Sequence, residues 1–157
     1  MKPVRVKVIG LKETEAALKA LNEQVGTGRA ARNVGLRALR AGGEILAKEA
    51  RQRAPKFDLH LSESIDVSTR LTKSQRAKHK KFAPVEMFVG PNNPAAIPQE
   101  FGTFKEPPQP FMRPAFDATK GQVLKRISDT LMVEVERAAK REAAKAARLA
   151  RKAAGGK

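Results

Sequence analysis

The sequence predicts an α+β fold: a small, mostly antiparallel sheet with helices packed on one face, continued by an extended basic C-terminal helix. Three observations carry this. Apolar residues alternate with polar ones around Val4–Val8, Ser64–Leu71 and Val85–Val89, the period of a half-buried strand. Longer stretches place apolar residues three and four apart, the period of an amphipathic helix. The end of the chain is almost wholly Ala, Lys and Arg, which suits a helix with little to bury. The expected order is β-α-α-β-β-loop-α.

Val4, Val6 and Val8 alternate with Arg5 and Lys7 in the first strand, which Gly10 closes. Leu11, Thr14, Leu18, Leu21 and Val25 then form a helix stripe, with Glu13 and Glu15 near the start, where the helix dipole favours them, and Gly26-Thr27-Gly28 as the stop. A second helix is expected over Arg29–Arg53, on the stripe Ala31, Val34, Ala38, Ala41 or Gly42, and Ile45, with Leu46 beside it. Gly35, Gly42 and Gly43 each cost about 1 kcal/mol in a helix interior, so their presence points to a close approach by another element. Ala54-Pro55 ends the helix, because a residue before proline is pushed out of the α region. Lys56–Leu61 reads as loop.

The alternating runs at Ser64–Leu71 and Val85–Val89 are expected to pair antiparallel, with Gly90-Pro91 ending the second. The basic stretch Lys73–Lys81 between them is too long for a tight turn and reads as a mobile arm or a long hairpin tip. Asn92-Asn93-Pro94 is turn chemistry. Ala95–Phe104 has room for one helical turn, interrupted by Pro98. Glu106–Pro114 holds four prolines and reads as stiff and extended. Pro114 suits the first turn of a final helix with Phe116, Val123 or Leu124, Ile127, Leu131 and Val135 at helical spacing. The expected division is a domain over 1–136 and a basic helix or tail over 137–157.

Composition narrows function. The chain of 157 residues has no Cys, Trp or Tyr and only two His. That excludes a disulfide framework, a thiol nucleophile and a Cys-ligated or His-rich metal centre. No run approaches a membrane span, and the N-terminus lacks a secretory apolar region, so a soluble protein made in a cytoplasm is expected. Much of the hydrophobic fraction is Ala, so the core should be thin or completed by partner subunits. The formal charge of +16 is localised. Glu134–Lys157 holds eight basic residues against three acidic, and Ser68–Phe82 holds six basic residues and no acid. Charge of this kind concerns partners rather than fold.

No catalytic constellation assembles. Ser62, Ser64 and Ser68 lie near His60 without a nucleophile elbow. Asp58, His60 and Glu63 match no tight metal spacing, and Gly26-Thr27-Gly28 lacks the strand and third glycine of a dinucleotide site. The expectation is no enzyme, no metal and no cofactor. Two stretches stand out instead: Glu100-Phe101-Gly102-Thr103-Phe104 and Pro110-Phe111-Met112-Arg113-Pro114-Ala115-Phe116. Either their Phe residues anchor a loop on the core, or a proline-stiffened segment is presented to a neighbouring subunit, where Phe, Met and Arg are enriched.

Several residue groups, in order, carry a resemblance. They are Val8-Ile9-Gly10-Leu11, Ala50-Arg51 before Ala54-Pro55, Leu61-Ser62-Glu63-Ser64-Ile65, Val89-Gly90, Glu100-Phe101-Gly102-Thr103 and Pro110-Phe111-Met112-Arg113-Pro114-Ala115. Over about Val4 to Ile127 the chain resembles the neck and tail-completion proteins of long-tailed bacteriophages, the head–tail joining or minor tail components of the HK97 type. Lys56–His60 replaces the family's usual Thr-Gly, and Pro98 interrupts its short helix.

The resemblance implies a tail-terminator-like fold and structural work without catalysis. It implies a homo-oligomeric ring, commonly six-fold, at the head–tail junction of the virion. Such a ring caps the tail tube and meets the tail-tube protein and the head-side connector or stopper, with genome DNA in its lumen and no membrane involved. By analogy, Glu100, Phe101, Gly102, Thr103, Phe104, Phe111, Met112, Arg113 and Pro114 are expected to be structural and subunit-contact residues. Arg113 would pair with a carboxylate, Glu100, within or between subunits.

The rival reading is a basic nucleic-acid-binding protein. It would act through Arg70, Lys73, Arg76, Lys78, Lys80 and Lys81 and through Lys140, Arg141, Lys145, Arg148, Arg151 and Lys152, which could equally meet an acidic protein surface. Without Tyr, Trp or a recognised nucleic-acid motif, that reading has half of its usual signature.

Overall fold

The structure, a computed structural model, describes residues 28–56 and 59–154, together with Lys12, Glu15, Ala16 and Lys19, which are helical. The expected first strand, most of the first helix, Phe57-Asp58 and the terminal Gly155-Gly156-Lys157 lie outside the described residues.

Helix α1 spans Arg29–Arg53, as its apolar stripe predicts, and ends where Ala54 turns extended before Pro55. Its buried face is Val34, Ala38, Gly42, Gly43, Ala47 and Ala50, so five of six positions are Ala or Gly. That face lies against α5, Met112–Ala154, and against a two-stranded antiparallel sheet of β1, Ile65–Ser68, and β2, Phe88–Pro91. The glycines set the spacing. A Cβ on Gly42 would stand 2.6 Å from Ile127 Cγ1, and one on Gly43 would stand 2.9 Å from Val67 Cγ1. The small residues therefore mark two close approaches, one to α5 and one to the sheet.

The strand register pairs Ile65 with Pro91 and Val67 with Val89, confirming the antiparallel pairing. Both strands are shorter than the alternation suggests. Thr69 and Leu71 lie beyond β1, and Val85 and Met87 lie before β2, because the connecting arm diverges there. Gly90 and Pro91 belong to β2 rather than ending it. Ile65 and Val67 are buried, and the Arg51 guanidinium donates two hydrogen bonds to the Ile65 carbonyl, at 2.6 and 3.1 Å, tying β1 to α1.

Other expectations are corrected. Leu59–Glu63, expected within or next to a loop, is a short helix, α2, that carries Leu61 into the core. The arm contains a helix, α3, Lys73–Lys78, opened by a capping box in which Thr72 and Gln75 satisfy each other's backbone N–H. Helix α4, Ala96–Phe101, is not interrupted by Pro98, which stands in the first turn, where its missing N–H has no intrahelical acceptor. The extended segment before α5 and the place of Pro114 in its first turn agree with the sequence. Phe116 does not join the apolar stripe of α5. It is 52% exposed, and Ala115 takes the buried place.

The core has two parts. One gathers Ala47, Ala50, Leu61, Ile65, Val67, Ala96, Phe111 and Ala115; the other is Val34 and Ala38 against Leu131 and Val135. Phe111, Ile65 and Leu131 are the largest fully buried side chains, so the core is thin, as the Ala content implies. Between α1 and α5 the buried Glu134 carboxylate accepts hydrogen bonds from Arg37 and, at 3.1 Å, from Arg137. Burial pushes this carboxyl up, but the two guanidiniums outweigh it and hold it below the usual range. Past Arg137, α5 continues without a break to Ala154.

Candidate functional site

The site forms where α4 meets the first turn of α5. A helix start leaves N–H groups without intrahelical acceptors, and here a carboxylate from another helix supplies the acceptor. Glu100 Oε2 accepts from the N–H of Phe111 at 2.8 Å and of Met112 at 3.0 Å. Oε1 accepts from the N–H of Arg113 at 3.2 Å and from Arg113 Nε at 3.0 Å. Arg113 Nη2 closes the circuit on the Glu100 carbonyl at 2.9 Å. Burial raises the Glu100 carboxyl, but the donors from Met112, Phe111 and Arg113 prevail and hold it below the usual carboxylate range. The positive end of the α5 dipole acts in the same direction.

The residues between follow the same logic. Gly102 has φ +78°, a left-handed conformation, and a Cβ there would stand 2.9 Å from Pro108 N. Thr103 closes the next turn. Its N–H donates to the Glu106 carbonyl, and its hydroxyl accepts from the N–H of Lys105 and Glu106. The Gln109 N–H donates to the Gln99 carbonyl at 2.8 Å, laying the proline-rich segment back beside α4.

The two readings of the Phe residues divide by position. Phe111 is the anchor, fully buried, with Met112 half-buried against the same core. Phe101 and Phe104 are not anchors, being 67% and 96% exposed. Ile97 shares a face of α4 with Phe101 and is exposed too. The Arg113 guanidinium lies 5.1 Å from the centre of the Phe101 ring, a cation–π contact. Phe116, one turn beyond Arg113 on α5, extends the same surface. Ile97, Phe101, Phe104 and Phe116 are thus large apolar side chains left exposed on the segments that flank the capped joint. Arg113 pairs with Glu100 within the chain, one of the two arrangements foreseen, and Pro114 is half-buried beside it.

The basic residues fall in two places. Arg70 follows β1; Lys73, Arg76 and Lys78 ride on α3; and Lys80 and Lys81 follow it, all exposed. Lys140, Arg141, Lys145, Arg148, Arg151 and Lys152 are exposed on the far part of α5. At 100° per residue, these six and Arg137 fall within about 140° of arc, opposite most of the alanines.

Sequence reasoning missed the clasp that holds the arm. His79 Nε2 lies 2.9 Å from Glu86 Oε2, while Glu86 Oε1 accepts from the N–H of Phe82 at 2.6 Å and of Ala83 at 3.2 Å. The His79 side chain foremost, then the Phe82 N–H, holds the Glu86 carboxyl below its ordinary value. A signal existed: Glu86 is the only acid between Asp66 and Glu100.

Among the described residues no group of His, Asp and Glu could hold a metal ion, and no helix is long and apolar enough to cross a membrane. No curated protein and no solved structure matches the chain. Residues 15–102 match the family described as "Bacteriophage HK97-gp10, putative tail-component". The match takes in α1 to α4 and reaches Gly102, inside the Glu100–Thr103 motif. Spanning more than half of the sequence, it shows that the chain belongs to the HK97-gp10-like family of bacteriophage tail components.

Proposed function

We propose that the chain is a structural protein of the phage neck that completes or caps the tail tube and joins it to the head. It works as a six-fold homo-oligomeric ring at the head–tail junction, meeting the tail-tube protein on one side and the connector or stopper proteins on the other, with genome DNA in its lumen. One observation carries this: Ile97, Phe101, Phe104 and Phe116 stand exposed around the Glu100–Arg113 joint. Large exposed side chains on a stiff base are costly in a monomer and suit a subunit contact. The thin Ala-rich core supports the same reading, because neighbours in a ring can complete it.

The test is assembly. The purified chain, alone and with tail tubes, is weighed by native mass spectrometry and imaged by electron microscopy. A six-fold ring at the tube end is expected, and Phe101→Ser with Phe104→Ser should abolish it while the helical circular dichroism stays. A strict monomer that leaves tube ends bare would sink the proposal.

A second reading has its own observation. The basic arc of α5 is suited to a polyanion, as in a nucleic-acid-binding protein or in a neck protein touching packaged DNA.

A further inference from the structure

Between α1 and the arm that joins β1 to β2 lies a cleft of about 270 Å³, away from the joint of α4 and α5. We propose that this cleft is a docking site for an acidic segment of another protein that inserts an apolar side chain. The inference goes beyond the ring reading and does not depend on it.

The cleft has two zones. Leu36, Val85 and Phe88 are half-buried and make an apolar floor. Arg32, Arg70, Arg76 and Lys81 line it from exposed positions and make a cationic rim. Among the described residues Arg32, Arg70 and Lys81 have no carboxylate partner, and Arg76 reaches only the Leu71 carbonyl, at 3.3 Å. The one acid in the described lining, Glu86, is already engaged by His79 and by the N–H groups of Phe82 and Ala83. The rim therefore offers unneutralised positive charge to an incoming group.

Floor and rim together choose the ligand. A duplex backbone would use the rim and leave the apolar floor uncovered. A nucleobase is best stacked on Tyr or Trp, which the sequence lacks, and Phe88 is half-buried and packed edge-to-face with His79 at 5.2 Å. The volume lies just below the range of small-molecule sites, about 300–1,000 Å³, which suits a side chain or two rather than a cofactor. Carboxylates flanking an apolar side chain match both zones. The capping box at Thr72 and the His79–Glu86 clasp hold the arm in place, which lowers the ordering cost of binding.

The experiment uses the full chain and a fluorescein-labelled peptide in which one Phe is flanked by Glu on both sides, followed by fluorescence anisotropy. Saturable binding is expected. Replacing the peptide's Phe by Ala should weaken it about tenfold, and Arg32→Glu or Arg70→Glu by about tenfold or more, with the thermal midpoint unmoved. A second measurement exploits the absence of cysteine. Thr69→Cys, which lines the cleft, carries an environment-sensitive dye whose emission should shift as the peptide binds. Equal affinity for the Phe and Ala peptides, indifference to both charge reversals, or binding without a dye shift overturns the proposal. Displacement of the peptide by an equal concentration of short duplex DNA also overturns it, in favour of a nucleic-acid site.

Discussion

Glu100 does two jobs with one carboxylate: it caps a helix it does not belong to, and it orients Arg113 over Phe101. Removing it leaves the buried Phe111 N–H without an acceptor and takes away a charged cap. An orphaned buried donor costs about 1–3 kcal/mol and a lost cap about 1 kcal/mol, so Glu100→Ala should lower stability by roughly 2–4 kcal/mol, read from urea unfolding. Glu100→Gln keeps an acceptor but loses the charge, and it should also change the response to acid. The folded carboxyl is held below its ordinary value. Its contribution is therefore fully present above the unfolded value, about 4.3, and is lost as pH falls through the folded value. Glu134 adds to the same slope for the same reason. In Glu100→Gln the fall of stability below about pH 4.5 should be shallower than in the unaltered chain, and an identical slope would count against the capping role.

At the scale of elements, glycines mark where helices touch. Gly121, in the exposed part of α5, has open space around it, so Gly121→Ala should gain up to about 1 kcal/mol from helix propensity alone. Gly42 has the same propensity to recover, but its Cβ would meet Ile127 and come within 3.2 Å of the Val123 carbonyl. Overpacking of about 1–3 kcal/mol should outweigh the gain. Thermal midpoints that move in opposite directions for the two variants confirm the close approach of α1 to α5; both rising would deny it. The same contrast shows what was legible in the sequence. The span of α1 and its small residues could be read from periodicity and from Ala54-Pro55, both local signals. The antiparallel pairing of β1 with β2 followed from two alternating runs. The ends of those strands did not, because they depend on where the arm turns away, which Glu86 and His79 decide across seven residues. Helix α2 was missed because Leu61 is drawn into place by tertiary burial. Of the site, the Glu100–Arg113 pair was named from the sequence, whereas the division between a buried Phe111 and an exposed Phe101 and Phe104 needed the packing.

For the whole molecule, the question is what its positive charge faces. The far part of α5 has no core to serve: Val135 is the last buried apolar residue, and every described side chain from Lys140 onward is exposed. This part of α5 reaches about 20 Å past the packed body, at 1.5 Å per residue, with its cations gathered on one arc. Stability and binding should therefore separate cleanly here. Replacing Arg141, Arg148 and Lys152 together by Gln removes three charges from the arc and disturbs nothing buried. The thermal midpoint should stay within about 2 °C of the unaltered chain, since surface changes of this kind are usually within about 0.5 kcal/mol. Binding to duplex DNA, followed by filter retention across salt concentrations, should change in slope as well as strength. Each phosphate that is no longer neutralised lowers the dependence of log affinity on log salt by about 0.9, so the triple variant should flatten it by roughly 3. A slope that does not move, with affinity intact, would mean that the arc faces something other than DNA, and the acidic surface of a neighbouring virion protein would then be the partner to test by the same substitutions.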